Sequence, residues 1–439
     1  MIARVALCAA LAVTIAGAPV HAQSKKYPPE PVDKDKDEAT HSQLWEDALT
    51  PARHQYDELL REGSEHLDRG GPQELQLALE TFDHAIALQP TAGEGYVRRA
   101  IAHSGLQQWA ACADDFVTEL DHARVATVDE RKRLGTCQAR AGRLADAERT
   151  FGPIAAATNS AELWLRLGEV RLAMGKLDES VAALRKAGEI GGGALPWWML
   201  AAARDRALEP SNDYVDTTGR AMTAAQYAAA LDPSFSTIVN PSTPLLAVGD
   251  TEYLLGLAYS TPPTLVPQAN VGFGLPASHG ARPEYALVYF RRYLALVPEG
   301  PWRRRAEEHV REISALELPS EVRRVPGSSA QFETAAARSE VHRHLPALRA
   351  CLAKLPTAVF EVTITKVGPR TPETVHDHPI YRVPPAGISV VWSLDVDAAA
   401  KPEIDAATSC LETAASSIAL PIPSERDTFY RAAFYVTAP

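Results

Sequence analysis

"WLRLGEVRLAMGKLDESVAALRKA" (164–187) decides how this chain is read. An aromatic residue, Trp164, opens it, apolar residues recur at helical spacing, and a single turn falls at Gly175-Lys176. Gly168 stands 12 residues before Ser180. Small residues at both places let two antiparallel helices approach closely, so the stretch reads as a helical hairpin. Nothing in it carries catalytic chemistry.

The arrangement recurs upstream. "LLREGSEH" (59–66) precedes "ALETFDHAIALQP" (78–90), "YVRRAIAH" (96–103) precedes "CADDFVTEL" (112–120), and "RKRLGTCQ" (131–138) precedes "ADAERTFGPI" (145–154). The small pairs are Ala100 with Cys112 and Gly135 with Ala147; Gly63 and Ala78 lie three residues further apart. Two less regular units follow. One pairs "WWMLAAAR" with "RAMTAAQYAAALDP", and the other pairs "EYLLGLAY" with "EYALVYFRRYLALVP". The helix "PWRRRAEEHVREISALEL" (301–318) is read as a cap. Self-similarity at a fixed period is the signature of a repeat array.

The residues that carry this pattern are Trp164, Leu167, Gly168, Ser180 and Leu184, with Ala78, Phe82, Ala85 and Pro90 in the first unit. They resemble the tetratricopeptide repeat over about residues 52–318. The resemblance implies a superhelix of helix pairs with a groove that binds peptides or protein partners. The recurring aromatics Phe82, Phe116, Phe151 and Trp164 are assigned to the core. The segment 263–282 ("PTLVPQANVGFGLPASHGAR") interrupts the sixth unit and reads either as a groove or partner contact or as a surface excursion.

The ends differ from the array. Met1 to Ala22 has one early positive charge (Arg4), an apolar run and a small-residue site, so a secretory signal peptide cut after Ala22 is expected. Residues 23–50 are Pro-rich and charged, too poor in apolar groups to offset ordering, and read as a disordered tether. The repeat array is placed at 51–318, a linker at 319–331 and a small α+β domain at 332–439. In the last of these, Glu333–Leu355 and 402–419 read as helices. The alternating runs "AVFEVTITKVG" (358–368), "GISVVWSLDVD" (387–397) and "TFYRAAFYVT" (428–437) read as strands. The fold class expected is mainly α: a tetratricopeptide-type helical-hairpin superhelix followed by a small α+β domain.

"LRACL" around Cys351, the "VVWSLDVD" strand, "TSCLETA" around Cys410 and "LPIP" (420–423) resemble the AgmX/PglI-type C-terminal domain, which is similar to the TonB C-terminal domain. "AAAKP" (398–402) stands where that family has a turn glycine, and the loop between the strands is long. The resemblance implies a partner-binding module of the cell envelope.

Removing residues 1–22 takes away Arg4 and no acid, so the formal charge of −11 becomes −12. That argues against nucleic acid, which is bound through clustered positive charge. Four cysteines then remain, Cys112, Cys137, Cys351 and Cys410, and an even number in an exported chain suggests two disulfides. Four cysteines allow three pairings. Cys112 and Cys137 fall on helices that consecutive repeats pack together, which favours joining them. Cys351 and Cys410 each sit on a predicted helix flanking the tail strands, and the resemblance to the AgmX-type tail favours joining these two.

Catalytic motifs are absent: the sequence contains no HExxH, GxSxG, Walker loop or GxGxxG. "GGG" (191–193) follows no predicted strand and is not read as a phosphate loop. His376 and His378 flank Asp377 in the long tail loop, weak metal candidates without a nearby third ligand; His342 and His344 diverge on a predicted helix. No cofactor is expected.

The arginines are more telling. Arg61, Arg98, Arg133 and Arg166 each stand two residues before the small residue of a first helix. Equivalent positions stack along one face, and like charges there need offsetting acids or an acidic ligand. Some tetratricopeptide proteins hold a terminal carboxylate from such positions, a task that suits the guanidinium fork. The asparagines of that clamp are not matched. The competing assignment is a solvated face balanced by Glu65, Glu94, Glu162 and Glu169.

The expectation is therefore a periplasmic or secreted scaffold without enzymatic activity and without stable membrane insertion after signal cleavage. It binds protein or peptide partners with acidic or carboxylate-bearing segments, and not nucleic acid. The alternatives are a metal-dependent or catalytic envelope protein, with chemistry in the tail or in 263–282, and a cell-wall or outer-membrane assembly component.

Overall fold

A computed structural model describes residues 51–439, apart from 123–126, 192, 209–211, 216–218, 220, 242–243, 263–281, 370–383 and 393–399. The expected segments 1–22 and 23–50, the pair His376/His378 and nearly all of 263–282 lie outside the described residues.

The four regular units are four hairpins: α1 (Pro51–Arg69) with α2 (Pro72–Leu88), α3 (Gly93–Gly105) with α4 (Trp109–His122), α5 (Val128–Arg140) with α6 (Leu144–Thr158), and α7 (Ala161–Ala173) with α8 (Leu177–Ile190). Local signals set the ends. Pro72 starts α2 where its missing N–H costs nothing. Thr127 and Glu130 form a reciprocal capping box on α5. Asn159, left-handed, stops α6. The small residues do the packing expected of them. A Cβ at Gly168 would lie 2.6 Å from Leu184 Cδ2, and one at Gly135 would lie 2.7 Å from Phe151 Cζ. Ser180 is fully buried and its hydroxyl donates to the Gly168 carbonyl at 2.8 Å, tying α8 to α7. A disulfide joins Cys112 on α4 to Cys137 on α5.

The next two units depart from the regular plan. In α9 (Leu195–Ala207) every residue from Leu195 to Ala203 is buried, so the helix is covered on all sides and shows no amphipathic stripe. Its partner α10 (Ala224–Leu231) begins only after Thr223, whose capping box fixes the start. Ala221-Met222, read as helix from sequence, instead form β2, which pairs with β1 (Tyr214–Val215) in a short ribbon. Tyr214 stacks on Tyr227 at 3.6 Å and holds the ribbon against α10. A one-turn helix, α11 (Ser236–Val239), comes before α12 (Asp250–Ser260), α13 (Pro283–Leu296) and the capping helix α14 (Arg303–Ser314). One core runs from Leu165 through Trp198, Tyr253 and Phe290 to Leu318.

The tail is a four-stranded antiparallel sheet in the order β3-β6-β4-β5, with β3 (Arg323–Arg324), β4 (Val359–Val367), β5 (Gly387–Trp392) and β6 (Phe429–Thr437). Helices α15 (Thr334–Ala350) and α16 (Lys401–Ala415) share its core. Phe360, Val362, Ile364, Tyr430 and Phe434 meet Val341, Leu348 and Leu411 there. A disulfide joins Cys351, just after α15, to Cys410 on α16. The stretch 319–331, read as a linker, carries β3 and belongs to the sheet; two residues are too few to show a strand period. The opposite sheet face docks on α13, where Tyr285 meets Tyr435 edge-on at 5.0 Å and Val288 packs beside Val359. Arg291 donates to the Ala438 carbonyl at 3.1 Å, Arg292 to that of Thr357 at 3.1 Å, and Glu284 accepts from Ser320 N–H at 2.6 Å. The architecture is thus mainly α, a stack of helical hairpins with a small α+β domain fixed to its last hairpin. Among the described residues no helix is long and apolar enough to cross a membrane.

Candidate partner-binding groove

Each arginine of the predicted ladder finds an acid on its own helix. Arg61 pairs with Glu58 and Glu65, Arg98 with Glu94, Arg133 with Asp129 and Arg166 with Glu169. Spacings of three and four residues make these pairs neighbours on one helical face. Arg98 also donates to Ser64 Oγ and so links α3 to α1. Glu162, named as a balancing acid, meets Lys132 instead, at 3.6 Å.

Exposure separates the four. The side chains of Arg61, Arg98 and Arg133 are 63%, 34% and 48% exposed, whereas that of Arg166 is 3% exposed. The difference comes from the chain itself. Residues 244–248, between α11 and α12, return across α5 and α7. The Leu246 N–H donates to Glu169 Oε1 at 3.1 Å, and Arg140 donates to the Leu245 carbonyl. Leu246 joins the cluster of Leu163, Leu167 and Val170. Gly249 closes the segment with φ of +88°, and Tyr293 and Val297 leave no room there for a side chain.

Beneath this segment lies a buried charged group. Burial pushes Glu169 upward, and Arg166 partly offsets it. Burial also drives Asp250 up to about 7; the 2.8 Å hydrogen bond from Trp302 Nε1 opposes the rise and the Glu169 charge adds to it. Arg140 is held down by burial and by the nearby Arg166 charge, and stacks over Trp109 at 5.4 Å.

Where the segment ends, an open pocket of about 230 Å³ begins. Ile101, Trp109, Thr136, Arg133 and Arg166 line it, and Pro244 marks its border. Arg133 and Arg166 therefore share one pocket, Arg98 is tied to α1 through Ser64, and Arg61 stands at the far end of the face. An apolar wall with a few convergent charged groups is the usual make-up of a peptide or small-ligand site. Sequence reasoning missed Arg140. It follows Arg133 by two helical turns, on the same face, and that spacing was the available signal.

The remaining candidates have structural partners. His342 Nε2 lies 3.0 Å from the Pro319 carbonyl, and His344 bridges Glu340 and Ser417. Gly191 is the left-handed C-cap of α8. Among the described residues no three His, Cys, Asp or Glu side chains gather as metal ligands would.

No protein-family model and no curated protein matches the chain. Solved structures to which it is similar include YrrB, described as a TPR protein with an unusual peptide-binding site. That match has 18% identity and a TM-score of 0.32, over 37% of this chain and 80% of that one. Another is pilF of Pseudomonas aeruginosa, at 12% identity and TM-score 0.37, over 60% and 99% of the two chains. A third is a tetratricopeptide repeat protein from Parabacteroides merdae, at 14% identity and TM-score 0.36, over 59% and 84%.

Proposed function

We propose that the protein is an exported scaffold of the cell envelope that binds protein segments along the face formed by α1, α3, α5 and α7. The observation that carries this reading is the 230 Å³ pocket beside the exposed Arg133, with Arg98 further along the same face. Surface pairs such as Arg133–Asp129 hold their partners weakly, so an incoming carboxylate competes for the guanidinium at little cost. Bidentate geometry then favours an acidic side chain or a C-terminal carboxylate. Two disulfides suit an oxidising compartment, in keeping with a cleaved segment 1–22. The reading includes no catalytic step and no cofactor. N-terminal sequencing of the mature protein checks the cleavage after Ala22.

The binding test uses Arg98→Ala with Arg133→Ala and leaves Arg166 in place, because truncating Arg166 strands the buried Glu169. Partners are first identified by crosslinking in the native envelope, and the purified pair is then titrated at low and moderate salt. Weaker binding with a shallower salt dependence supports the reading. Unchanged affinity removes these arginines from recognition.

A further inference from the structure

We infer that the stretch of groove over α5 and α7 is itself a peptide site, and that residues 244–248 occupy it in cis as a displaceable pseudo-ligand. The inference rests on the reading of this face as a peptide-binding surface and names what the covered part of it recognises: a short apolar segment with a leucine followed by a second, larger apolar residue.

Four observations support it. First, the array reads the backbone of the segment: Glu169 accepts the Leu246 N–H and Arg140 donates to the Leu245 carbonyl. Backbone contacts from groove side chains hold a peptide without regard to most of its sequence. Second, two adjacent side chains are held: Leu245 is buried in the core that runs through Trp198 and Tyr253, and Leu246 is buried beside it. Leu246 enters the apolar slot of Leu163, Leu167 and Val170, while Val248 is 62% exposed and Pro244 is exposed. Third, the fit is incomplete. A cavity of about 60 Å³ remains under Ala247, lined by Ala139, Val170, Leu172, Asp250 and Trp302. Filling such a gap adds apolar contact, so a larger side chain at the Ala247 position is expected to bind better than the native one. Fourth, the site is continuous with the open pocket, since Pro244 borders one and leads into the other. A partner engaged at Arg133 can extend over α7 once the segment yields.

Tethering keeps the site closed in the resting protein. An attached segment acts at an effective concentration of roughly millimolar, which a free peptide must outcompete. The apparent affinity of a free peptide falls by the fraction of time the site is open.

The test uses the full chain and two fluorescein-labelled synthetic peptides: residues 241–249, and the same peptide with Ala247→Leu. Fluorescence anisotropy compares wild type, Leu246→Ser and Val248→Ser. The expected result is at least tenfold tighter binding to Leu246→Ser than to wild type, tighter binding of the Ala247→Leu peptide than of the native one, and wild-type behaviour of Val248→Ser. A folded Leu246→Ser chain that binds neither peptide overturns the inference. So does loss of the helical signal in Leu246→Ser, because the segment is then part of the core, and so does equal opening by Val248→Ser. Partner capture through Arg98 and Arg133 is independent of this outcome, so the two readings fail separately.

Discussion

The first three hairpins and the fourth are built on the same plan, yet one face of the array is open on the former and covered on the latter. Arg61, Arg98 and Arg133 lie at equivalent places, and each is partly solvated beside an acid of its own helix. Arg166 occupies the fourth such place and is sealed against Glu169 by residues 244–246. Position within a repeat therefore does not define a binding residue. What defines it is whether a distant part of the chain lies over it.

Arg166→Ala gives the largest expected contrast. Removing one partner of a buried pair costs about 3–5 kcal/mol, whereas Arg98→Ala or Arg133→Ala costs at most about 0.5 kcal/mol. Chemical denaturation of the three variants measures the difference, and equal small losses would show that Arg166 is solvated. The double change Arg166→Met with Glu169→Met recovers part of the loss, because two apolar side chains replace two desolvated charges.

The second prediction concerns the acid beneath the covering segment. Asp250 rises from the ordinary 3.8 to about 7 in the folded chain. Between about pH 4 and pH 7 the folded state keeps a proton there that the unfolded state has lost, so stability falls as pH rises through that window. The contribution reaches at most about 4 kcal/mol above pH 7 and vanishes below pH 4. Asp250→Asn keeps an acceptor for Trp302 and loses this slope. Melts of both proteins from pH 4 to pH 8 should coincide at the acid end and favour the variant at the alkaline end; parallel curves would rule the effect out. At the base of α14 the sign is opposite. Burial would raise Asp205, but hydrogen bonds from His309, Arg305 and Tyr253 outweigh it and hold the carboxyl at about 2. Its contribution is full above about pH 4 and is lost as pH falls toward 2.

A third test probes the open half alone. Cys112 and Cys137 close a loop with a sequence separation of 25 residues. Chain-entropy arguments give such a link about 3 kcal/mol. Replacing both by Ala should speed hydrogen exchange in α3–α6 and leave the tail strands protected. Uniform loosening of both regions would instead mean that the array and tail unfold as one unit. The smallest expected effect is Val248→Ser, within about 0.5 kcal/mol of wild type, because its side chain faces solvent.

Much of the array was legible because its information is local. Gly168, Ser180 and Leu184 lie within one hairpin, and the helical period places them on facing surfaces before any tertiary contact is known. The Cys112–Cys137 link was legible for the same reason, since adjacent repeats bring the two helices together. The period failed where elements are very short. Ala221-Met222 and Arg323-Arg324 are strands of two residues, defined only by their partners. The helix α9 was legible in "WWMLAAAR", although its burial on every side erases the amphipathic stripe.

The sequence alone determined the hairpins, their small-residue contacts, the strand-rich tail and the row of four arginines, because each is written in spacings of a few to a few tens of residues. Only the tertiary structure decided which arginines stay open. That outcome depends on contacts between Leu246 and Glu169, 77 residues apart, and between Leu245 and Arg140, 105 residues apart. No periodicity encodes separations of that kind. They arise when the chain turns back after α11 and buries Leu245 and Leu246 on surfaces built much earlier in the sequence.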